Sequence, residues 1–314
     1  MSNKQPRVSI GLPVYNGEPF IKEAIESILV QTFKDFELII SDNASSDRTQ
    51  EICQAYAVKD GRIRYYRNEE NLGAARNFNR VFELSRGEYF KWQPADETAE
   101  PEFLARCVDL LDREPTLVLA CTQFMMRDEL KGTTQFLKGA TADYEIGSPS
   151  TYARFRKLFV VLGHNGAIWG LMRSQLLKET HLIRHFPGAD DCFLVELILK
   201  GGFGQIPEYL YTMRTHSQAY HRIKDRQNGL EGLEEAHWFD PTKLHIWVLP
   251  YWRRLWEFFL LIVRSREDIG TKLATIGFLY FVAVPKHRRW RKMLSGELLF
   301  TVRQLFKQRK QQII

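Results

Sequence analysis

The side chains best suited to chemistry stand beside apolar runs. Asp42 closes the run Glu37–Ser41. A carboxylate there can accept hydrogen bonds from a base or a ribose, and an aspartate before Asn-Ala-Ser-Ser also suits an ordinary turn. Asn71-Leu72-Gly73 precedes Arg76 and Asn77. The Arg76 guanidinium has the fork of donors that meets a diphosphate, and it equally suits a solvated helix face. Asp96 and Glu97 are adjacent carboxylates. They are hard oxygen donors for a divalent cation that also binds phosphates, or an acidic turn ahead of a helix. Asp190 and Asp191 follow Gly188. Either can take a proton from a hydroxyl as general base, and both fit a helix N-terminus. His216, in Arg214-Thr215-His216, is a candidate metal ligand or a polar loop residue.

Placing these residues requires an alternating framework. Val8–Val14 reads as a strand, and Ile21, Ala24, Ile25, Ile28 and Leu29 recur at helical spacing. Strands follow at Glu37–Ser41, Ile63–Tyr66, Tyr89–Trp92 and Leu117–Phe124. Helices are expected after Ser45-Ser46-Asp47, over Ala74–Leu84 and over Pro101–Leu111. Strand and helix in alternation imply right-handed crossovers and a mostly parallel sheet. Ligands of such sheets bind beyond the carboxyl ends of the strands. That directs attention to Pro13–Asn16, Asp42–Asn43, Arg67–Asn71 and Pro94–Glu97. Residues 126–160 read as an irregular polar excursion. Alternation resumes with a strand over Ala167–Met172, a helix over Asp190–Lys200 and a strand over Gln205–Arg214. Trp92 and Trp169 are open to two uses, sugar stacking or core packing, with core packing favoured.

Composition narrows the function classes. The 314 residues are 44% hydrophobic and 26% charged, enough for a real core. The net charge is +6, but residues 285–314 hold nine Lys/Arg against one acid, Glu297. The body of the chain is therefore nearly neutral, and the arrayed basic surface of a nucleic-acid binder is not expected. Cys53, Cys107, Cys121 and Cys192 lack paired metal-ligand spacing and read as buried, reduced thiols of a cytoplasmic protein. No apolar run suits a signal peptide or reaches the roughly 18 residues of a membrane-spanning helix. There is no G-x-G-x-x-G, no P-loop and no G-x-S-x-G, which argues against dinucleotide, P-loop and α/β-hydrolase chemistry. A nucleotidyltransferase would need a Gly-rich basic loop after the first strand, and GLPVYNGEP is not one.

In order, these signals form one pattern. The run VSIGLPVYNGEPFIKEAIESILVQTFKDFELIISDNASSDRT resembles the opening of the family 2 glycosyltransferases. Pro13-Val14-Tyr15-Asn16, Ser41-Asp42-Asn43-Ala44-Ser45-Ser46-Asp47 and Asn71-Leu72-Gly73 with Arg76-Asn77 look like three successive family motifs. Gly87–Pro101 resembles the metal-motif segment. The resemblance covers roughly residues 6–220. It implies an inverting, nucleotide-sugar-dependent enzyme with the A-type glycosyltransferase fold, a Rossmann-like, mostly parallel sheet flanked by helices. The catalytic domain would span 1–220, with a nucleotide-binding half to about 125 and an acceptor half from about 126. Residues 221–314 would be a helical, basic extension.

The resemblance also implies roles. Pro13, Tyr15 and Glu18 would line the nucleotide pocket, Asp42 with Asn43 would hold the base, commonly uracil, and Arg76 would lie near the phosphates. Ala95 and Asp96 fall in the family's Asp-x-Asp region, with Asp96 on the metal-binding carboxylate and Pro94 in place of the first one. Glu97 and His216 would complete a site for Mn²⁺ or Mg²⁺. Asp190 matches the second acid of the later family motif, with Ala189 in place of the first, so Asp190 is the expected base and Asp191 the alternative. The partners implied are a nucleotide-sugar donor, a saccharide or lipid-linked acceptor, and no nucleic acid. A member that binds nucleotide sugar without transfer is the competing reading, on the strength of Pro94 and Ala189.

The C-terminal region lies outside the resemblance. Leu255–Val263 and Leu273–Val284 are apolar runs rimmed by Arg, Trp and Tyr. Leu294, Leu298, Leu299, Val302, Leu305 and Phe306 recur at helical spacing among Arg303, Lys307 and Lys310. An amphipathic helix of that kind suits an anionic membrane surface, and the expected location is the inner face of the membrane. Helices packed on the catalytic domain are the alternative.

Overall fold

The computed structural model describes residues 5–137, 148–161, 166–217, 238–239, 250–286, 290–292 and 294–295. Four strands form the first half of the sheet: β1 (Val8–Val14), β2 (Phe36–Asp42), β3 (Ile63–Arg67) and β4 (Tyr89–Trp92). They are parallel, in the order β3-β2-β1-β4. All residues of β1 and β2 are buried, as expected of parallel strands covered on both faces.

Three connecting helices reverse the chain between them: α1 (Ile21–Leu29), α2 (Thr49–Lys59) and α3 (Ala74–Glu83). On α1 the buried residues are Ile21, Ala24, Ile25 and Ile28. That is a single apolar stripe at helical period, each large member contributing about 2 kcal/mol by burial. Alternate residues of β1, Val8, Ile10, Leu12 and Val14, face the α1 side. Phe90 and Trp92 of β4 face the opposite core, with α3.

The second half of the sheet mixes directions. β5 (Thr98–Ala99) leads to α4 (Phe103–Arg113) and the long β6 (Leu117–Asp128), which forms a hairpin with β7 (Thr133–Leu137). Residues 126–160 are therefore not all irregular. Beyond the hairpin, α5 (Thr151–Val161) buries Phe155, Leu158 and Phe159 at i, i+3, i+4. The segment expected as a strand over Ala167–Met172 is a 3-10 turn, Gly166–Trp169, followed by the short β8 (Leu171–Arg173). Next come α6 (Ser174–Leu177), α7 (Ala189–Ile198) and β9 (Gly202–Thr215). β8 pairs antiparallel with β4 and β6, while β9 runs parallel to β6 and antiparallel to β5.

Further helices are α8 (Pro250–Arg264) and α9 (Ile269–Gly277), the latter continued by a π-helical turn, Phe278–Ala283, and a short helix, Val284–Lys286. The Asp268 side chain caps α9 by accepting from the Thr271 N–H at 3.0 Å. On α8, Leu255, Phe258, Leu261 and Ile262 enter the same core as α5 and α7. Packing on the body of the chain thus accounts for the inner face of the Leu255–Val263 run. The boundary expected near residue 220 falls outside the described residues, as do Leu298, Leu299, Val302, Leu305, Phe306 and most of the basic tail. No described helix is long and apolar enough to cross a membrane.

Candidate active site

The carboxyl ends of β1, β2 and β3 carry an interlocked set of loops. The Asn16 N–H donates to Ser45 Oγ at 2.9 Å, and the Ser46 N–H donates back to Asn16 Oδ1 at 2.9 Å. The Gly17 N–H reaches Thr49 Oγ1 at 2.8 Å and the Glu18 N–H reaches Asp47 Oδ2 at 3.0 Å. Glu18 in turn accepts from the Arg48 N–H at 3.2 Å. Burial opposes ionisation of Asp47, but hydrogen bonds from Thr49 and Glu18 outweigh it and hold the carboxyl below its ordinary range. Pro13 is buried in β1, whereas Tyr15 stands half in solvent at the mouth of these loops.

Asp42 is fully buried, and both of its oxygens are engaged. Oδ1 accepts the Ser45 N–H at 2.8 Å, and Oδ2 accepts Tyr65 Oη and Arg67 Nη1, each at 2.7 Å. Arg67 also donates to the Ser45 carbonyl at 2.9 Å. Asn43 accepts from Asn68 Nδ2 at 2.8 Å and from the Leu72 N–H at 2.9 Å, and donates to Asn71 Oδ1 at 2.7 Å. Asn77 accepts from Ser41 Oγ at 2.7 Å and donates to the Ser41 carbonyl at 2.9 Å. These bonds tie β2 to the Gly73 turn, where φ is +83° and a glycine fits without strain. Arg76, the third residue of α3, is exposed, with no hydrogen bond or ion pair among the described residues.

The turn after β4 carries the second group. The Gln93 N–H donates to the Gly11 carbonyl at 2.8 Å, and Gln93 Nε2 holds the Glu97 carbonyl at 2.7 Å. Asp96 and His216 meet here: Nε2 lies 2.9 Å from Asp96 Oδ2. β5 pairs with Tyr211 and Thr212 of β9, so the Asp96 turn lies against the end of β9, just before His216. Phe20 braces that end, its ring 4.4 Å from His216 and 4.8 Å from the Arg214 guanidinium. Arg214 donates to Glu23 Oε2 at 2.6 Å, tying β9 to α1. Ala95 packs below, opposite Gly17.

Glu97 takes a different place, buried behind Asp96 toward the fully buried Lys91. Burial first, and then the Asp96 charge, push its carboxyl well above the usual range. Burial pulls Lys91 down to about 7. Lys91 Nζ donates to Gln93 Oε1 at 2.8 Å and lies 5.0 and 4.9 Å from the Phe103 and Tyr211 rings. Among the described residues no three His, Cys, Asp or Glu converge on a metal position. Asp96 and His216, in contact with each other, supply an oxygen and a nitrogen of the kinds that hold a divalent cation.

The third group is at α7. Gly188 takes the left-handed conformation (φ +80°) at its N-terminus. From Ala189 to Ile198 every residue is buried except Asp190, which is half-buried. Phe193, one turn on, packs edge-on against Trp92 at 5.2 Å, so the Asp190 turn lies over the end of β4. Asp191 is committed elsewhere. Its Oδ2 accepts from Arg254 Nη1 of α8 in a buried ion pair. Burial opposes the Arg254 charge, but Asp191 outweighs it and raises the guanidinium. Trp92 is a core residue: it is fully buried, and its Nε1 donates to the Phe78 carbonyl at 2.8 Å. Trp169 is partly buried against Phe78. His164 and Asn165 lie outside the described residues.

The sequence singled out Asp96, His216 and Asp190 separately. The structure joins Asp96 to His216 and separates Asp190 from Asp191 in burial. It adds Tyr65 and Arg67, which hold Asp42, and Arg254, which holds Asp191. Arg67 was legible as a residue directly after a strand. Arg254 carries no local signal, since its partner is 63 residues away.

The sequence model for Glycosyl transferase family 2 matches residues 9–180, more than half of the chain. EpsE of Bacillus subtilis (strain 168), assigned as a glycosyltransferase, is 28% identical over 223 residues, 70% of this chain and 77% of that protein. An uncharacterized glycosyltransferase of Methanocaldococcus jannaschii is 39% identical over 104 residues, 32% of this chain and 36% of that protein. Among solved structures, S. aureus TarS 1–349 in complex with UDP-GlcNAc superposes with a TM-score of 0.62 at 16% identity, covering 94% of this chain and 81% of that one. The mannosyltransferase PcManGT of Pyrobaculum calidifontis, in complex with GDP-Man and Mn²⁺, gives a TM-score of 0.54 at 17% identity, covering 97% and 88%. The A-type glycosyltransferase fold implied by the sequence is the fold present, with a helical C-terminal part.

Proposed function

This chain belongs to glycosyl transferase family 2 and is a glycosyltransferase, and from that premise we propose that it moves a sugar from a UDP-sugar to an acceptor hydroxyl with inversion. The observation that carries this reading is Asp190, the one residue of the α7 segment Ala189–Ile198 that is not buried. A general base needs access to its substrate, and the neighbouring Asp191 is taken by Arg254.

The acceptor hydroxyl is a poor nucleophile until it loses its proton. Asp190 accepts that proton as the oxygen attacks the anomeric carbon from the face opposite the diphosphate. The anomeric C–O bond to the diphosphate breaks, and its electrons leave with the nucleoside diphosphate. Arg76, exposed beside the Gly73 turn, is placed to meet the phosphates. Tyr15 offers a ring to the base, and Asp42 fixes Tyr65 and Arg67 around it. Asp96 and His216 would hold a divalent cation, which would supply positive charge against the departing diphosphate. Glu97, pushed toward its neutral form, backs that pair.

UDP is favoured by the UDP-GlcNAc bound to the structurally similar TarS, and Mn²⁺ by its presence with GDP-Man in PcManGT. A saccharide or lipid-linked acceptor at the inner face of a membrane fits the outer side of the C-terminal helices. Trp256 (57% exposed) and Phe281 (81%) are exposed in this region, as are Trp252, Val263 and Leu273, and the same stretch of chain carries Arg264, Arg266, Lys272 and Lys286. Apolar and aromatic side chains rimmed by basic ones suit an anionic leaflet. Surface polysaccharide or glycolipid assembly is the corresponding role.

A thermal-shift series with UDP, GDP, UDP-GlcNAc and GDP-Man, with and without Mn²⁺, tests donor and metal together. A ligand of the native state raises its stability by mass action. The expected result is a rise in Tm for UDP compounds that grows with Mn²⁺. No rise with any of them contradicts the reading, and a rise without release of nucleoside diphosphate supports a non-catalytic binder.

A further inference from the structure

Helix α8 grips the loop that leads into α7 at successive points. Glu257 of α8 pairs with Arg184. The Arg253 guanidinium lies 4.3 Å over the Phe186 ring. Arg254 pairs with Asp191 and fills the space beside Gly188, where an added Cβ would come within 2.8 Å of Arg254 Nη1. Arg254 is itself fixed. Its guanidinium lies 4.7 Å from both the Tyr251 and the Trp290 rings, and Trp290 stacks on Phe159 of α5 at 5.4 Å. The α7 N-terminus lacks a side-chain cap of its own. The first-turn acid Asp191 is buried and pairs with α8.

We propose that Arg254 is a positioning residue for the transfer reaction: through Asp191 and the Gly188 turn it sets where Asp190 meets the acceptor hydroxyl. The inference rests on Asp190 being the base. Asp190 is adjacent to Asp191 on the first turn of α7, so any shift of that turn moves its carboxylate. Displacement of a reacting group by about 1 Å costs on the order of 10²-fold in rate. The catalytic unit therefore does not end with the nucleotide-binding sheet. It needs a helix from the region beyond residue 220 to complete the base side of the cleft.

The test uses the full chain and nucleoside diphosphate release from UDP-GlcNAc and GDP-Man with Mn²⁺, measured per folded molecule well below each Tm. Arg254→Lys keeps the charge and loses the planar fork. Gly188→Ala alters no charge and pushes the fork aside. Both are expected to lower kcat by about 10²-fold with donor KM within about twofold of the parent. A kcat within about twofold in both variants overturns the proposal, as does a loss that merely follows the folded fraction. Asp190→Asn is run beside them. If it is inactive while the other two match the parent, Arg254 is not a positioning residue but the base stands. If Asp190→Asn matches the parent, the base assignment falls and this inference with it.

Discussion

The edge proposed to hold the nucleotide and the edge proposed to bear the base are built in different ways. Around β1, β2 and β3 each functional side chain is held by partners from neighbouring loops. Asp42 is fixed by Tyr65 and Arg67, Asn43 by Asn68 and Leu72, and Asn16 by Ser46. Around α7 the decisive partner is Arg254, from a helix separated by the whole of β9 and beyond. The proposed nucleotide edge is held by contacts within the first part of the chain, and the proposed base side includes a contact from α8.

That contrast yields perturbations of graded size. The largest concerns the long-range pair. Asp191→Asn leaves Arg254 charged and buried, which costs about 3–5 kcal/mol. Urea unfolding monitored by tryptophan fluorescence reads the loss, and an unchanged midpoint would break the contrast. Next is the metal pair. Asp96→Ala and His216→Ala are expected to lower nucleoside diphosphate release by about 100-fold, or about 2.7 kcal/mol, and to flatten its Mn²⁺ dependence. A Mn²⁺ titration that keeps its shape in both variants would remove them from the metal site.

The third perturbation tests the local edge. Asp42→Asn leaves one acceptor oxygen where there are two, so either the Ser45 N–H or Tyr65 and Arg67 lose their partner, but Arg67 reaches solvent. The expected stability cost is about 2 kcal/mol, with weaker UDP binding. Calorimetric titration with UDP checks it, and parent affinity would argue against a role for this cluster in holding the base.

The smallest effect is a pH dependence. Glu37, buried in β2, meets burial that alone would raise its carboxyl. Hydrogen bonds from Ser9, Arg64 and Arg86 outweigh it and lower the carboxyl below the ordinary 4.5. A carboxylate with a depressed native value adds stability that is fully present above its unfolded value. That stability is lost as pH falls through the lowered native value. Glu37→Gln should therefore cost about 1 kcal/mol at neutral pH and leave stability less sensitive to pH below about 4.5. Parallel acid-unfolding curves for parent and variant would contradict this.

The same contrast explains what could be read from the sequence. The first half announces itself because strand, loop and motif are contiguous. Val8–Val14 with Asn16, Glu37–Ser41 with Asp42 and Tyr89–Trp92 with Asp96 each place a polar residue directly beyond a buried run. Helix α5 was hidden because its apolar residues Phe155, Leu158 and Phe159 follow a polar stretch broken by Gly147 and Pro149. β8 was misjudged because Gly170 ends a 3-10 turn within an apolar run. Asp190 and Asp191 are chemically alike in sequence, and only the docking of α8 tells them apart. Arg254 sits among similar residues in Trp252-Arg253-Arg254-Leu255-Trp256, and nothing local marks which arginine turns inward.

The most direct test of the base assignment is the rate of nucleoside diphosphate release by Asp190→Asn, with UDP-GlcNAc and GDP-Man as donors and Mn²⁺ present. The geometry predicts a fall of about 10³-fold with donor binding and Tm retained. Release at the parent rate would show that Asp190 is not the base.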